Sequence, residues 1–228
     1  MFNSKYSKFL TVLLVIVIIA IVGLLGYLGY DYYEQYFITK DTAEFVDSFM
    51  SETENTIVTN ETPVEESNVV VDENVLDSIQ STTTTNTNTG TTTTKKTYKG
   101  FNVVGTIEIP KINLKYPILE KVTKKSIEVA VAVIYGPGPN EVGNTTIMGH
   151  NYRNGLFFSN LKKLSNGDKV YITDLNGNKV TYTIYNKYET TPEDADYMTR
   201  NTNGRREISL STCTDDSSAR LIIWAKAD

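Results

Sequence analysis

The sequence predicts a mainly β domain, either a sandwich or a closed barrel, behind an N-terminal membrane helix. Residues 9–30 carry no charge. From Gly100 onwards a Thr-rich composition gives way to short apolar runs separated by Gly, Pro and Asn. Many short strands joined by such turns are typical of β-sandwiches and β-barrels. The 129 residues from Gly100 to Asp228 are enough to bury a core.

The membrane helix is predicted from the run VLLVIVIIAIVGLLG and its flanks. The 22 residues of 9–30 extend about 33 Å as a helix, enough to cross the hydrocarbon core. Lys5 and Lys8 precede the run and acidic residues dominate after it, which places residues 1–8 in the cytoplasm. A cleaved secretory signal is the alternative, although its apolar core is usually about 7–15 residues. We predict a single-pass protein of the cell membrane with an extracellular domain.

Residues 31–98 are predicted to be a juxtamembrane segment followed by a disordered linker, with the anchor helix continuing to about residue 50. Residues 51–80 contain eight acidic residues and no lysine or arginine, and residues 81–97 read STTTTNTNTGTTTTKKT. Such a composition buries too little apolar surface to offset its ordering entropy. About fifty flexible residues span roughly 40 Å. A glycosylated stalk is the alternative for this tract.

Residues 99–228 form the predicted folded domain. Asp174–Asn178, reading DLNGN, predicts a hairpin turn. Helical signals are short and cover 124–130 and 156–164. The segments with strand character are 103–109, 114–118, 145–148, 169–174, 179–189, 207–212 and 221–226.

The chain has one cysteine, Cys213, and one histidine, His150. A single cysteine forms no intramolecular disulfide, so it is a buried filler, a dimer link or a reactive thiol. One His and one Cys make a poor zinc site. The net charge of −5 and the pI near 5.1 argue against a nucleic-acid binder.

The alternation of side chains along the strand that ends at Cys213 predicts which residue faces the cysteine. Side chains alternate along 207–213, so that Cys213 points to one face of the sheet and Thr212 to the other. If the next strand pairs antiparallel across the loop TDDSSA, Arg220 faces Cys213. A guanidinium there would stabilise negative charge on the sulfur or on a substrate oxygen. His150 ends a short strand at an exposed turn, where catalytic groups are common.

The residues from about 104 to 227 resemble the sortase family of Gram-positive surface transpeptidases. The resemblance lies in GTIEIPKINLKYPI at the domain start, GHNYRNGLFFSNLKKLSNGDKV around the histidine, and LSTC followed by AR at the end. It implies a closed barrel of about eight strands with short helices. It also implies that Cys213 is the nucleophile, His150 the general acid and base, and Arg220 the oxyanion or substrate stabiliser.

The implied reaction cleaves an LPXTG-like sorting signal through a thioacyl intermediate, which an amine of a peptidoglycan precursor resolves. Hydrolysis by the same site, pilin polymerisation and a non-enzymatic surface protein are the alternatives. Thr212 and Ser211 are candidate substrate-binding residues, with core packing the equal alternative for Thr212. Trp224 is expected to pack in the barrel or to form a groove wall.

The subtype expected from the resemblance is class A-, D- or E-like rather than a pilin-polymerising class C enzyme. The region before the domain has no Asp-Pro-aromatic triplet, and the segment TTPEDADYMTRNTNGRR lacks the long helix of class B. That segment is expected to cover one wall of the substrate groove. No cofactor is predicted. The carboxylates available to bind calcium are expected to be free solvated charges, and they are Glu108, Glu189, Glu193, Asp194 and Asp196.

Overall fold

The computed structural model describes residues 4–58 and 96–228. One long helix, α1 (Ser4–Val58), precedes nine strands. The strands are β1 (Thr97–Tyr98), β2 (Phe101–Ile109), β3 (Leu114–Leu119), β4 (Val131–Tyr135), β5 (Gly143–Met148), β6 (Lys169–Asp174), β7 (Lys179–Thr190), β8 (Arg206–Cys213) and β9 (Arg220–Ala227). Short 3₁₀ turns lie at Pro110–Ile112 and Leu161–Lys163, and a four-residue helix, α2, spans Asp196–Thr199.

Eight of these strands close into a barrel, which confirms the predicted fold class. The strand order is β2-β3-β4-β5-β8-β9-β7-β6, and β6 pairs back with β2. The pairs β3–β4 and β5–β8 are parallel, and the other barrel pairs are antiparallel. β1 extends the edge of β2 as a short hairpin. Closure leaves no free edge on the eight-strand sheet.

The barrel core is built from alternating inward side chains. Tyr182 and Ile184 on β7 are buried as their alternation with threonines predicts. The predicted hairpin at Asp174–Asn178 forms, with Gly177 N–H donating to the Asp174 carbonyl at 3.1 Å. The innermost aliphatic side chains include Ile107, Ile118, Ile147, Ile172, Leu210 and Ile223.

Neither segment with a helical signal forms the predicted helix. In 124–130 the Ser126 hydroxyl bonds the Lys121 carbonyl and accepts from the Thr123 N–H, which leaves turns. In 156–164 only Leu161–Lys163 is helical, because Phe157 adopts a φ of +49°, in the left-handed region. The N–H of Phe157 donates to the Tyr116 hydroxyl at 3.0 Å, which fixes this conformation.

α1 is longer than the predicted anchor and packs against the barrel. Its apolar side chains in 9–30 are exposed, as lipid contact requires, and its length and composition suit a membrane span. Further along, Val46 and Phe49 are buried and Lys96 lies 4.1 Å above the Phe49 ring. Lys115 Nζ is 2.8 Å from Asp47 Oδ1. The sequence did not predict this packing.

A second contact between α1 and the barrel lies at Asp41. Its Oδ2 accepts hydrogen bonds from the Tyr98 hydroxyl at 2.6 Å and from Lys99 Nζ at 2.8 Å. The predicted linker lies mostly at 59–95, outside the described residues. Its flanks differ from the prediction, since 51–58 are helical and 97–98 form β1.

Candidate active site

The β8–β9 hairpin brings Cys213 and Arg220 together. Arg220 is the register partner of Cys213, and its Nη1 donates to the sulfur at 2.9 Å. This confirms the register that side-chain alternation predicted. The connecting loop is fixed by its own polar groups, since Thr214 N–H donates to the Ala219 carbonyl at 3.0 Å and Ser218 N–H donates to Asp216 Oδ1 at 3.1 Å.

The segment that carries His150 runs directly beside the cysteine. β5 and β8 are parallel neighbours, and the alignment continues past their ends. Gly149 N–H donates to the Ser211 carbonyl at 3.2 Å, and the Thr212 hydroxyl donates to the Gly149 carbonyl at 2.8 Å. His150 and Cys213 therefore emerge from adjacent strand ends, although they are 63 positions apart in the chain.

The imidazole of His150 is oriented by groups other than the sulfur. Its Nε2 lies 3.3 Å from Glu128 Oε1 but is not aligned well enough for a hydrogen bond. The Tyr152 ring lies 4.8 Å away, and the Phe157 ring meets the imidazole edge-on at 6.3 Å. In the described part of the chain, the imidazole and the thiol form no hydrogen bond with each other.

Asn151 connects the two strand ends. Its Nδ2 donates to the Cys213 carbonyl and to Asp215 Oδ1, both at 3.0 Å. Reasoning from the sequence missed Asn151 and Glu128. Asn151 directly follows His150 in the polar turn NYRNG, which was a usable signal. Glu128 is distant in sequence and gave none.

A cleft of about 300 Å³ opens beside the sulfur. Lys162 Nζ is 2.6 Å from Asp215 Oδ2, and this hydrogen bond lowers the pKa of Asp215. Hydrogen bonds from the Thr214 hydroxyl and from the hydroxyl and N–H of Ser218 together lower the pKa of Asp216 to about 2. Both carboxylates are therefore ionised at neutral pH. The polar residues that line the cleft with Cys213 include Asn151, Lys162, Glu189, Thr212, Asp215 and Asp216.

The two candidate substrate-binding residues occupy different places. Thr212 lines the cleft, but its hydroxyl is already donated to the backbone of the His150 segment. Ser211 is fully buried, and its hydroxyl lies 3.2 Å from the Tyr197 hydroxyl. Both side chains are therefore buried, with Thr212 2% exposed, and of the two only Thr212 borders the cleft.

The segment 191–205 covers the second face of β8, so this strand is buried on both sides. Arg200 anchors the segment through its ion pair with the fully buried Glu207 and a hydrogen bond to Asn144 Oδ1 at 3.0 Å. Its guanidinium also stacks 4.7 Å from the ring centroid of Trp224, which gives Trp224 a packing role. The strand that carries the cysteine is thus held rigidly.

No group of three or more His, Cys, Asp or Glu side chains is arranged to hold a metal ion within residues 4–58 and 96–228. Asp194, one of the carboxylates considered for calcium, accepts hydrogen bonds from its own loop, including the Asp196 N–H at 2.9 Å. The expectation that no cofactor is needed stays a prediction.

Comparison with known proteins gives consistent matches to this region. A model described as the sortase domain matches residues 107–228. Sortase A of Bacillus anthracis is 32% identical over 124 residues, which cover 53% of this chain and 58% of that protein. Sortase A of Streptococcus agalactiae serotype III is 26% identical over 133 residues, covering 55% and 53% respectively. The matches thus span less than two thirds of either relative.

Solved structures agree with these matches. A Clostridium perfringens sortase D5 transpeptidase superposes with a TM-score of 0.51 at 31% identity, over 55% of this chain and 79% of that one. Sortase A from Corynebacterium diphtheriae gives a TM-score of 0.51 at 26% identity, over 56% and 61%. These classes are compatible with the expected A-, D- or E-like subtype. With the family model matching more than half of its residues, this chain belongs to the sortase family.

Proposed function

We propose that this protein is a membrane-anchored cysteine transpeptidase that cleaves an LPXTG-like sorting signal and transfers the surface protein to a cell-wall amine. The observation that carries the proposal is the 2.9 Å contact between Arg220 Nη1 and the Cys213 sulfur, at a strand end adjacent to His150. A fixed guanidinium beside a thiol supports a thiolate and also an oxyanion forming next to it.

The reaction proceeds in two acyl-transfer steps. The Cys213 thiolate attacks the carbonyl carbon of the Thr residue in the signal, and Arg220 donates to the oxyanion. The C–N bond to the next residue then breaks, His150 gives a proton to the leaving amine, and a thioester remains. An acceptor amine attacks the thioester carbonyl, His150 takes its proton, and the thiolate leaves as an amide bond forms.

The surroundings of the sulfur suit this pair of substrates. The cleft carries more carboxylates than ammonium groups, which favours approach of an amine acceptor over an anionic one. Thr212 remains a candidate contact for the signal because it lines the cleft. Ser211 is the weaker candidate, since it is buried and its hydroxyl lies beside that of Tyr197. No nucleic acid is expected as a partner, because the chain is acidic.

The anchor in this proposal is the apolar half of α1, with the N-terminus inside the cell and the barrel outside. The lysine residues before the span and the acidic residues after it support that orientation. Labelling of single cysteines introduced at Ser4 and at Ser165, with Cys213→Ala as background, tests it in intact cells. Reaction of the Ser4 position with an impermeant maleimide would contradict the orientation.

Mass spectrometry of the full chain in nanodiscs, mixed with a library of LPXTG-like peptides, tests the reaction. The expected result is a thioester adduct on Cys213 that transfers to an added amine, with Cys213→Ala as the inactive control. Release to water at every amine concentration would identify a hydrolytic peptidase instead. Transfer only to a lysine within a second surface-protein domain would identify a pilin polymerase, and no adduct would leave a non-enzymatic surface protein.

A further inference from the structure

The buried nitrogen of His150 has a specific carboxylate neighbour that the Cys–His–Arg set does not include. Nε2 is shielded from solvent, and Glu128 Oε1 lies 3.3 Å from it. Within residues 4–58 and 96–228, Nε2 has no aligned hydrogen-bond acceptor. A small rotation of either group would complete a hydrogen bond at this distance. Apo enzymes often hold catalytic hydrogen bonds in such loose geometry before substrate binds.

Glu128 is held in place from its other side. Its second oxygen, Oε2, accepts a hydrogen bond from the Tyr152 hydroxyl. The ring of Tyr152 lies along the imidazole, with 4.8 Å between centroids and 34° between planes. Burial of Tyr152, and then the hydrogen bond and charge of Glu128, raise the pKa of its hydroxyl because they disfavour the phenolate. Tyr152 therefore stays a hydrogen-bond donor throughout the neutral pH range.

The backbone on both sides of the pair is also fixed. Glu128 lies in the turn segment 123–130, which the buried hydroxyl of Ser126 ties to Lys121 and Thr123. The N–H of Tyr152 donates to the Ser159 hydroxyl at 3.0 Å. The Glu128 side chain itself is 57% exposed, so its hydrogen bond from the Tyr152 hydroxyl is what directs the carboxylate towards the imidazole.

We propose that Glu128, supported by Tyr152, is a positioning residue for His150. A carboxylate at Nε2 keeps a proton on that nitrogen and fixes the tautomer and the ring orientation, as in other carboxylate–imidazole pairs. It leaves Nδ1 as the nitrogen that exchanges protons with the leaving and incoming amines. The proposal rests on the transpeptidase function, because the proton exchange it supports is that of the thioester cycle.

The kinetic test compares three variants of the full chain in nanodiscs. Glu128→Gln keeps the shape and removes the charge, Glu128→Asp keeps the charge, and Glu120→Gln is the matched control on an exposed carboxylate that bonds Asn102. We expect Glu128→Gln to lower the kcat of thioester formation about 10- to 100-fold, part of the roughly 10²–10⁴-fold that general acid–base catalysis supplies. KM should stay within about twofold. Glu128→Asp should restore part of the rate, and Glu120→Gln should match wild type.

The spectroscopic test needs no substrate. Because His150 is the only histidine, ¹⁵N-histidine labelling gives imidazole signals from this residue alone. We expect the wild-type spectrum to show a proton on Nε2, and Glu128→Gln to shift both nitrogen signals, whereas Glu120→Gln leaves them unchanged. If Glu128→Gln does not fold, Tyr152→Phe replaces it in both measurements.

Each outcome decides one of the two proposals. Unchanged imidazole signals in Glu128→Gln would overturn the positioning role, as would a raised KM with an unchanged kcat. If wild type forms no thioester with any sorting peptide, the proposed function fails, while the imidazole signals still show whether Glu128 controls His150.

Discussion

Arg200→Met removes one partner of the buried carboxylate of Glu207. Glu207 lies on β8, the strand that ends at Cys213, and its side chain is fully buried. Its carboxylate accepts hydrogen bonds from the Tyr185 hydroxyl at 2.6 Å, from Arg200, and from Arg205 Nε at 2.9 Å. The two arginines share one acceptor but differ in burial, so they form a matched pair.

The structure sets the expected loss for each substitution. Removing one partner of a buried ion pair costs about 3–5 kcal/mol of unfolding free energy, because a buried charge loses its compensation. Arg200 is 12% exposed, and Arg205 remains to compensate Glu207 in the variant, so we expect the lower end, about 3 kcal/mol. Arg205 is 59% exposed, and its contribution is screened by water, so Arg205→Met should cost less than about 1 kcal/mol.

Thermal unfolding followed by circular dichroism checks the difference. At about 2–4 °C per kcal/mol for a chain of this size, Arg200→Met should lower Tm by roughly 6–12 °C and Arg205→Met by under about 4 °C. Equal Tm losses in the two variants would refute the reasoning that burial decides the energy.

Three further predictions concern the same pair, the helix packing and the candidate oxyanion donor. Burial raises the pKa of Glu207, but hydrogen bonds from a hydroxyl and two guanidinium groups outweigh it, so the folded pKa is below 4.5. The stabilisation by ionised Glu207 is therefore present above pH 4.5 and is lost as pH falls through the folded pKa. In urea unfolding, the free energy of unfolding should decline less steeply below pH 4.5 in Glu207→Gln than in wild type. Phe49→Ala should cost about 3–5 kcal/mol in urea unfolding, whereas the exposed Phe37→Ala should cost under about 0.5 kcal/mol; equal costs would show that α1 does not pack on the barrel. Arg220→Lys keeps the charge but loses the planar fork, so the rate of acyl transfer to Cys213 should fall about 10²–10³-fold in a burst assay, and a fall below tenfold would contradict an oxyanion role.

Most of the barrel could be predicted from local patterns. All seven predicted strands occur, with ends within two residues of those observed, because alternation and turn residues act locally. The strand Val131–Tyr135 was missed, since its short apolar run VAVIY has no alternation to separate it from a buried helix. The helix predicted at 124–130, directly before this strand, does not form because Ser126 bonds the nearby backbone.

The candidate site was predictable only in part, because local patterns do not reveal contacts between residues that are distant in sequence. The register of Cys213 and Arg220 follows from one hairpin, so strand alternation alone was sufficient. The neighbours of His150 depend on how the segment 123–130 folds back over the strand ends, which involves contacts distant in sequence. Glu128 therefore looked like one surface carboxylate among many, although the structure places it 3.3 Å from the imidazole.

The packing of α1 on the barrel changes how the height of the active site is set. A flexible linker would allow the domain to sample a range of distances from the bilayer. Here Lys96 Nζ donates to the Phe49 carbonyl at 3.2 Å, so the chain returns to α1 after residues 59–95. With residues 9–30 as the proposed span, the contacts at Asp41 and Asp47 lie roughly 17–26 Å along the helix beyond the membrane, at 1.5 Å per residue. The same helix lines a groove with Glu128 and Tyr152. In the proposed topology, these contacts hold the candidate site at one distance and in one orientation relative to the bilayer. Under the proposed function, both the sorting signal and the acceptor amine reach that fixed height, and a rigid connection raises their chance of meeting there without any additional contact between them.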